Sequence, residues 1–319
     1  LQAIFEPIEG EMPLVEEKLE SIAEAELPQL APLLDYPLQK KGKMIRPALT
    51  LLSGKFYRYS LDLLIPMAAA VELLHIATLV HDDIIDNSSL RRGLPTVHTI
   101  WGDKAAILMG DYLFAKSAEL VATTGNLRVV RLTAQTIMTI SSGELEENFS
   151  AYNPQQSREQ YYRRCSKKTA SLFSMATESG AILSQAPEEA VQALKSYGSN
   201  IGLAFQLVDD ILDFTGEEEE LGKPVGSDLL QGTLTLPAIL LMEQSPGDNP
   251  VKEVWEKRNQ RGNLRRALEI ILNSQIIEEC YRIAADFSDK ACQALEVLPD
   301  NPSRKALFEL ADYIIQRRR

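Results

Sequence analysis

The chain has 319 residues, a net charge of −12, 45% hydrophobic residues and 24% charged residues, the profile of a globular protein long enough for one large domain or two smaller ones. No basic excess exists to replace the counterions of a nucleic acid, so that class of partner is excluded. Cys165, Cys280 and Cys292 show no metal-ligand spacing and leave one thiol over, which predicts reduced cysteines and a cytoplasmic location. The sequence begins at Leu1 and reads as trimmed. It shows no signal pattern and no apolar run near the roughly 20 residues of a membrane span, so no transmembrane segment is expected.

Helical periodicity recurs nearly throughout and strand signals are scarce, which predicts an all-α bundle. No composition break marks a linker, so residues 1–319 read as one domain. Glu11–Leu27 is an amphipathic opening helix, closed by Pro28 and followed by a Pro-punctuated stretch to Pro37. A basic loop, Lys40-Lys41-Gly42-Lys43-Met44-Ile45-Arg46-Pro47, leads into an apolar helix from Ala48. Pro47 at a helix start leaves neighbouring amides and cations able to face an anion. Leu61–Asp86 is one long apolar helix, and Asn87–Pro95 a loop carrying Arg91-Arg92-Gly93.

Two core helices, Ala105–Thr123 and Leu127–Phe149, break at Gly125-Asn126. Ser157–Leu183 reads as one helix bearing Lys167-Lys168-Thr169, and Glu188–Asp213 as another. Glu217–Gly232 is a polar loop before Thr235–Gln244 returns to the core. From Val251 to Arg319 the pattern is of small helices split at Asn273-Ser274 and Pro299–Pro302, with no nameable chemistry. Glu144-Leu145-Glu146-Glu147 reads as a solvated face, and Arg317-Arg318-Arg319 as a frayed basic helix end.

The chemistry lies in a repeated pattern. Asp82-Asp83-Ile84-Ile85-Asp86 closes the long apolar helix, and Asp209-Asp210-Ile211-Leu212-Asp213 recurs downstream. At 100° per residue the first and last aspartates of each copy fall one turn apart on one face. Like charges at that spacing repel, and acids at a helix C-terminus oppose its dipole. A single copy would more often be a solvated helix end. Two copies with apolar flanks and basic residues nearby predict a counter-ion, and an all-oxygen donor set suits Mg²⁺. Lys43, Arg46, Arg91, Arg92 and Lys168 are the accompanying cations, and arginine's planar fork matches a diphosphate. No Ser–His–acid set, phosphate-cradling glycine loop or CxxC pair is present. The predicted substrate has a charged head and an apolar tail, and Mg²⁺ would stabilise a departing diphosphate.

On these motifs the chain resembles the trans-isoprenyl diphosphate synthases of the polyprenyl synthetase family along nearly its whole length. The resemblance implies an isoprenoid-synthase bundle around a central cavity, with the two motifs facing each other and holding Mg²⁺. It implies that Asp82, Asp86 and Asp209 ligate metal, with Asp83, Asp210 and Asp213 contributing directly or through water. Lys43, Arg46, His75 and Arg92 match residues that bind isopentenyl diphosphate. Arg91, Lys168, Thr169, Gln206 and Lys223 match those on the allylic diphosphate. The allylic substrate would ionise, the second substrate's double bond would attack, and the departing diphosphate would take the proton. A homodimer, with transient membrane contact on product release, is likewise a family expectation.

Two positions depart from the family pattern. Met44 stands where many members carry arginine, and Thr233 where many short-chain members carry lysine. The small Ala77 and Thr78, five and four residues before Asp82, leave the tail tunnel open. They predict a long-chain product, hexaprenyl to decaprenyl, with the floor deeper, near Ile137 or Met138; a geranylgeranyl or farnesyl endpoint is the alternative. His81-Asp82 also fits HD phosphohydrolases, but their further histidine ligands are missing. A class I terpene cyclase would have no purpose for the isopentenyl set. A non-catalytic subunit of a heteromeric synthase would ordinarily lack aspartates that are intact here.

Overall fold

The structure is a computed structural model that describes residues 1–23, 31–39, 42–216, 224–245, 247, 249–256 and 260–317. Helices account for nearly all of its regular structure. They are α1 (Met12–Ala23), α2 (Ala31–Gln39), α3 (Ile45–Gly54), α4 (Leu61–Ile85), α5 (Val97–Trp101), α6 (Asp103–Thr123), α7 (Leu127–Ser150), α8 (Arg158–Cys165), α9 (Ser171–Leu183) and α10 (Glu188–Thr215). They continue with α11 (Ser227–Leu230), α12 (Leu236–Gln244), α13 (Pro250–Glu256), α14 (Gln260–Leu272), α15 (Ile276–Ala294) and α16 (Pro302–Gln316). The fold is all-α, as the periodicity predicts. Among the described residues the sole sheet is a two-residue antiparallel hairpin, Leu90–Arg91 with Leu94–Pro95.

Three elements differ from their sequence patterns. The Pro-punctuated stretch is helical: Pro37 sits inside α2, in a helix so short that few backbone hydrogen bonds depend on its missing N–H. Helix α3 begins earlier than Ala48, because Met44 adopts a left-handed φ of 52° that turns the chain sharply into it. The predicted helix Ser157–Leu183 is interrupted by a π-helical turn, Ser166–Ala170. Such turns insert one residue per turn and commonly reorient side chains at functional sites.

The packing divides the chain into two compact units. The first comprises Leu1–Ile137, Leu172–Gly198 and Ala294–Leu310; the second comprises Met138–Ser171, Ser199–Gln293 and Ala311–Arg319. In the first, α4 is the central element. Among the described residues it alone has the length and apolarity to cross a membrane, which corrects the expectation that no segment reaches that length. Its residues from Ala68 to Val71, with Leu73, Leu74 and Ala77, have no exposed surface. It packs chiefly against α3 and α6, so it is a core helix whose apolar middle is buried.

Close approach requires small residues. Ser117 of α6 donates to the Ala70 carbonyl at 2.8 Å, and Gly110 leaves room for the His81 ring, whose Nε2 would lie 2.1 Å from an added Cβ. His81 Nε2 reaches the Ile107 carbonyl at 3.1 Å, so this histidine joins two helices. In the second unit Tyr161, Leu207, Ile211, Phe214, Leu234 and Ile239 centre the core. Helix α8 starts at a capping box in which Ser157 and Gln160 satisfy each other's backbone amides.

Gly180 in α9 tests the packing of the first unit, since a Cβ there would stand 2.3 Å from the Thr50 carbonyl of α3. Gly180→Ala should cost about 1–3 kcal/mol through forced separation of the two helices. Denaturant unfolding followed by circular dichroism checks this, and an unchanged midpoint would mean that the contact is not constraining.

Candidate active site

The first motif occupies the C-terminal turn of α4, with Asp86 as its C-cap. Its three acids have different surroundings. Asp82 is half-buried and Asp86 exposed, whereas Asp83 is 5% exposed and accepts from both Nε and Nη2 of Arg91 at 2.7 Å. The helix dipole opposes this charge, and the arginine offsets it. The following hairpin turns through Arg92 at φ 52° and Gly93 at φ 75°, as a type I′ connection requires. Ser88 anchors the loop: its carbonyl accepts from Thr96 Oγ1 and His98 Nε2, each at 2.8 Å. His98 is thereby structural.

A cleft within the first unit is lined by Gly42, Met44, Glu72, His75, Ile76, Leu79, Asp83, Arg91 and Arg92, among others. Glu72, His75, Ile76, Leu79 and Asp83 share one face of α4, following the helical repeat. Arg92 closes against Gly42, where an added Cβ would be 2.8 Å from its Nη2. Arg46, in the first turn of α3, lays its guanidinium 4.6 Å over the Phe173 ring. Burial holds His75 well below the ordinary histidine range, and Arg46, Arg92 and Arg91 push it further down. It stays neutral, able both to donate and to accept. Burial raises Glu72, with Arg46 and Arg92 opposing the shift. The cleft thus brings together His75, Arg91 and Arg92; Lys43 is exposed beside it in sequence. Arg91, matched by resemblance to the allylic set, lies here with the isopentenyl set.

The second motif, on α10, buries two of its acids rather than one. Asp209 has 37% of its side chain exposed and pairs with Arg317 Nη2 at 2.6 Å. That guanidinium also stacks 4.4 Å over Phe205. Arg317 is therefore engaged with the motif, which corrects its reading as part of a frayed end; Arg318 and Arg319 lie outside the described residues. Asp210 and Asp213 are 4% and 1% exposed. Asp213 accepts from Ser227 Oγ at 3.1 Å and from the Asp228 amide at 3.4 Å. Asp210 accepts from Tyr161 Oη at 2.6 Å and Gln206 Nε2 at 2.7 Å. Burial and the nearby Asp228 push its carboxyl up to about 7.

Lys168 and Thr169 project from the π-helical turn. Lys168 Nζ pairs with Glu144 and Glu147 of α7, each at 2.7 Å, and those carboxylates raise its pKa against the effect of burial. Glu147 also takes Arg164 Nε at 3.1 Å, and Arg164 donates to the Leu234 carbonyl at 2.6 Å. Lys167 pairs with Glu146. Gly143 permits this approach, since its Cβ would meet the Lys167 Cβ at 2.8 Å. Glu144, Glu146 and Glu147 are thus not the solvated face that their run suggested, and the π turn that aims the lysines at them has no sequence signal. Thr169 Oγ1 donates to Gln206 Oε1 at 2.5 Å, so Thr169, Gln206 and Asp210 form one hydrogen-bonded cluster. Lys223 lies outside the described residues. Ala77 is fully buried, and Thr78 donates to the His75 carbonyl at 2.7 Å. Met138 is 71% exposed, turned outward rather than into the interior as a tunnel floor would be. Glu72 was missed by the sequence reading, although its spacing of three residues from His75 was a usable signal.

A family model described as polyprenyl synthetase matches residues 27–271. The chain belongs to the polyprenyl synthetase family. It is 39% identical over 317 residues to heptaprenyl diphosphate synthase component 2 of Geobacillus stearothermophilus, with 99% of each chain covered. A decaprenyl diphosphate synthase from Rhodobacter capsulatus superposes with a TM-score of 0.92 at 37% identity, covering 99% of this chain and 98% of that one. A polyprenyl synthase from Caulobacter crescentus, solved with calcium and isoprenyl diphosphate, gives 0.94 at 34% identity over 100% and 98%. This polyprenyl synthetase is accordingly a prenyltransferase.

The donor set of the two motifs suits a hard cation: every candidate ligand is a carboxylate oxygen, and a guanidinium already rests on Asp209 as a cation would. No three histidine, cysteine or acidic side chains cluster as a ready-made metal cage among the described residues.

His75 yields a pH prediction. Unfolded, it binds a proton as pH falls through about 6.5; folded, it does not, so the unfolded state gains protons and stability drops below that pH. His75→Gln should flatten the decline between about pH 6.5 and 5, measured by urea unfolding across that range. An unaltered slope would show that the imidazole is protonated in place.

Proposed function

We propose that this polyprenyl synthetase condenses isopentenyl diphosphate with an allylic diphosphate such as farnesyl diphosphate, in a Mg²⁺-dependent reaction that releases diphosphate and yields a long-chain all-E polyprenyl diphosphate. The observation that carries the reading is the division of each aspartate motif. Asp83, Asp210 and Asp213 are buried, while Asp82 and Asp209 are half-buried and Asp86 is exposed.

Asp82, Asp86 and Asp209 are the residues that would hold Mg²⁺, which when bound would supply positive charge to the departing diphosphate, with water and substrate oxygens completing its shell. Arg91, Lys168, Thr169, Gln206 and Lys223 act toward the allylic diphosphate. Lys43, Arg46, His75 and Arg92 act toward isopentenyl diphosphate. Apolar walls then keep water from the allylic cation, and the released diphosphate accepts the proton.

Product length rests on the small Ala77 and Thr78 and on the heptaprenyl and decaprenyl names of similar proteins. Residues 1–319 act as one catalytic domain, a reading supported by coverage of relatives end to end. A homodimer is supported by α7, where Leu127, Met138, Leu145 and Phe149 form an exposed apolar stripe at helical spacing. A second reading, assembly with an unlike subunit, is favoured by the words "component 2" in the name of the Geobacillus relative. The free thiols Cys165, Cys280 and Cys292 support a reducing, cytoplasmic setting, with membrane contact limited to product release.

Incubation of the purified protein with farnesyl diphosphate and labelled isopentenyl diphosphate tests the reading. Products of six or more isoprene units that vanish with chelator are expected. A geranylgeranyl endpoint would keep the chemistry and refute the open tunnel; no incorporation would favour the unlike-subunit reading. Asp82→Ala or Asp209→Ala should each lower turnover by at least about 100-fold, the scale of losing a group that stabilises transition-state charge, with the fold intact by circular dichroism. Ala77→Phe should shorten the product, and an unchanged chain length would remove Ala77 from the tunnel.

A further inference from the structure

Tyr161 has no assigned part in the reaction, yet it is completely buried at the foot of the second motif. Its hydroxyl donates to Asp210 Oδ2 at 2.6 Å. The other oxygen, Oδ1, accepts from Gln206 Nε2 at 2.7 Å, and Gln206 Oε1 accepts from Thr169 Oγ1 at 2.5 Å. The four groups form one chain whose donors converge on Asp210. Every donor faces an acceptor, and this fixes which end of the Gln206 amide is which.

The anchor of the chain is stiff. Tyr161 sits in the first turn of α8, after the Ser157 capping box. Its ring lies 5.4 Å from the Tyr162 ring and 5.7 Å from the Arg164 guanidinium. Arg164 is in turn held by Gln156, Glu147 and the Leu234 carbonyl. Asp210 has no solvent route to a substitute partner, because only 4% of it is exposed. A buried acceptor deprived of its donor retains the desolvation cost, so the chain would rearrange rather than lose one link quietly.

We infer that Tyr161 is a positioning residue for the allylic diphosphate: through Asp210 it sets the orientation of Gln206, whose second Nε2 proton is left to donate to a phosphate oxygen, and through Gln206 the place of Thr169. Asp210 is then an internal brace of the second motif. The inference rests on the assignment of Thr169 and Gln206 to the allylic substrate.

The test is a binding measurement that needs no turnover. Titration calorimetry of farnesyl diphosphate with Mg²⁺, without isopentenyl diphosphate, should show affinity weakened about 10-fold in Tyr161→Phe, the scale of one lost hydrogen bond to a buried acceptor. Affinity for isopentenyl diphosphate should stay within about twofold, since its set lies on other elements. Asp210→Asn should weaken farnesyl diphosphate similarly, because an amide cannot accept from both donors unless Gln206 flips and turns its N–H toward Thr169. The double variant should be no worse than the weaker-binding single variant, as expected for links of one chain. Equal losses for both diphosphates, additive losses, or unchanged farnesyl diphosphate affinity in a folded Tyr161→Phe would overturn the inference. If the unaltered protein fails to bind farnesyl diphosphate, the assignment of the allylic set is what falls.

Discussion

Several carboxylates crowded onto a helix end cannot all face the same small volume unless each has its own compensation. The structure meets this constraint by geometry. Adjacent residues on a helix point about 100° apart, so Asp82 and Asp83, or Asp209 and Asp210, diverge. The inner acid of each pair is committed: Asp83 to Arg91, and Asp210 to Tyr161 and Gln206. Asp213 closes the Ser227 turn. Asp82, Asp86 and Asp209 keep the more exposed positions of the two motifs.

The cations are organised by the same logic, with different results in the two units. In the first, Arg91, Arg92 and Arg46 surround a neutral His75, and Glu72 is the buried acid among them. The excess is positive, suited to a diphosphate. In the second, Lys168 and Arg164 are matched by Glu144 and Glu147. That lysine is balanced and aimed in place, and the π-helical turn supplies the aim. A regular helix would rotate Lys168 and Thr169 away from these partners, since inserting one residue shifts everything beyond it by roughly 100°.

An apolar helix passing so close to charged groups needs dense packing to exclude water. Helix α4 does this with alanines and a stripe of leucines, and α6 approaches it through Gly110 and Ser117. Its membrane-like composition has the same cause: a helix whose middle is buried has no use for polar residues until it reaches the cleft, where Glu72, His75 and the aspartates begin.

The sequence by itself determined the all-α class, the bounds of the long helices to within a few residues, and the family, because periodicity and motif order are local properties of the chain. It also marked the six aspartates of the two motifs. It could not tell Asp82 from Asp83 in role, since that depends on which helix face meets a neighbour. The π-helical turn, the engagement of Arg317 with Asp209, the pairing of the 144–147 acids with lysines, and the burial of Tyr161 beneath Asp210 were decided only by tertiary structure. The last three join residues far apart in the chain whose attraction exists only once the packing brings them within hydrogen-bonding distance.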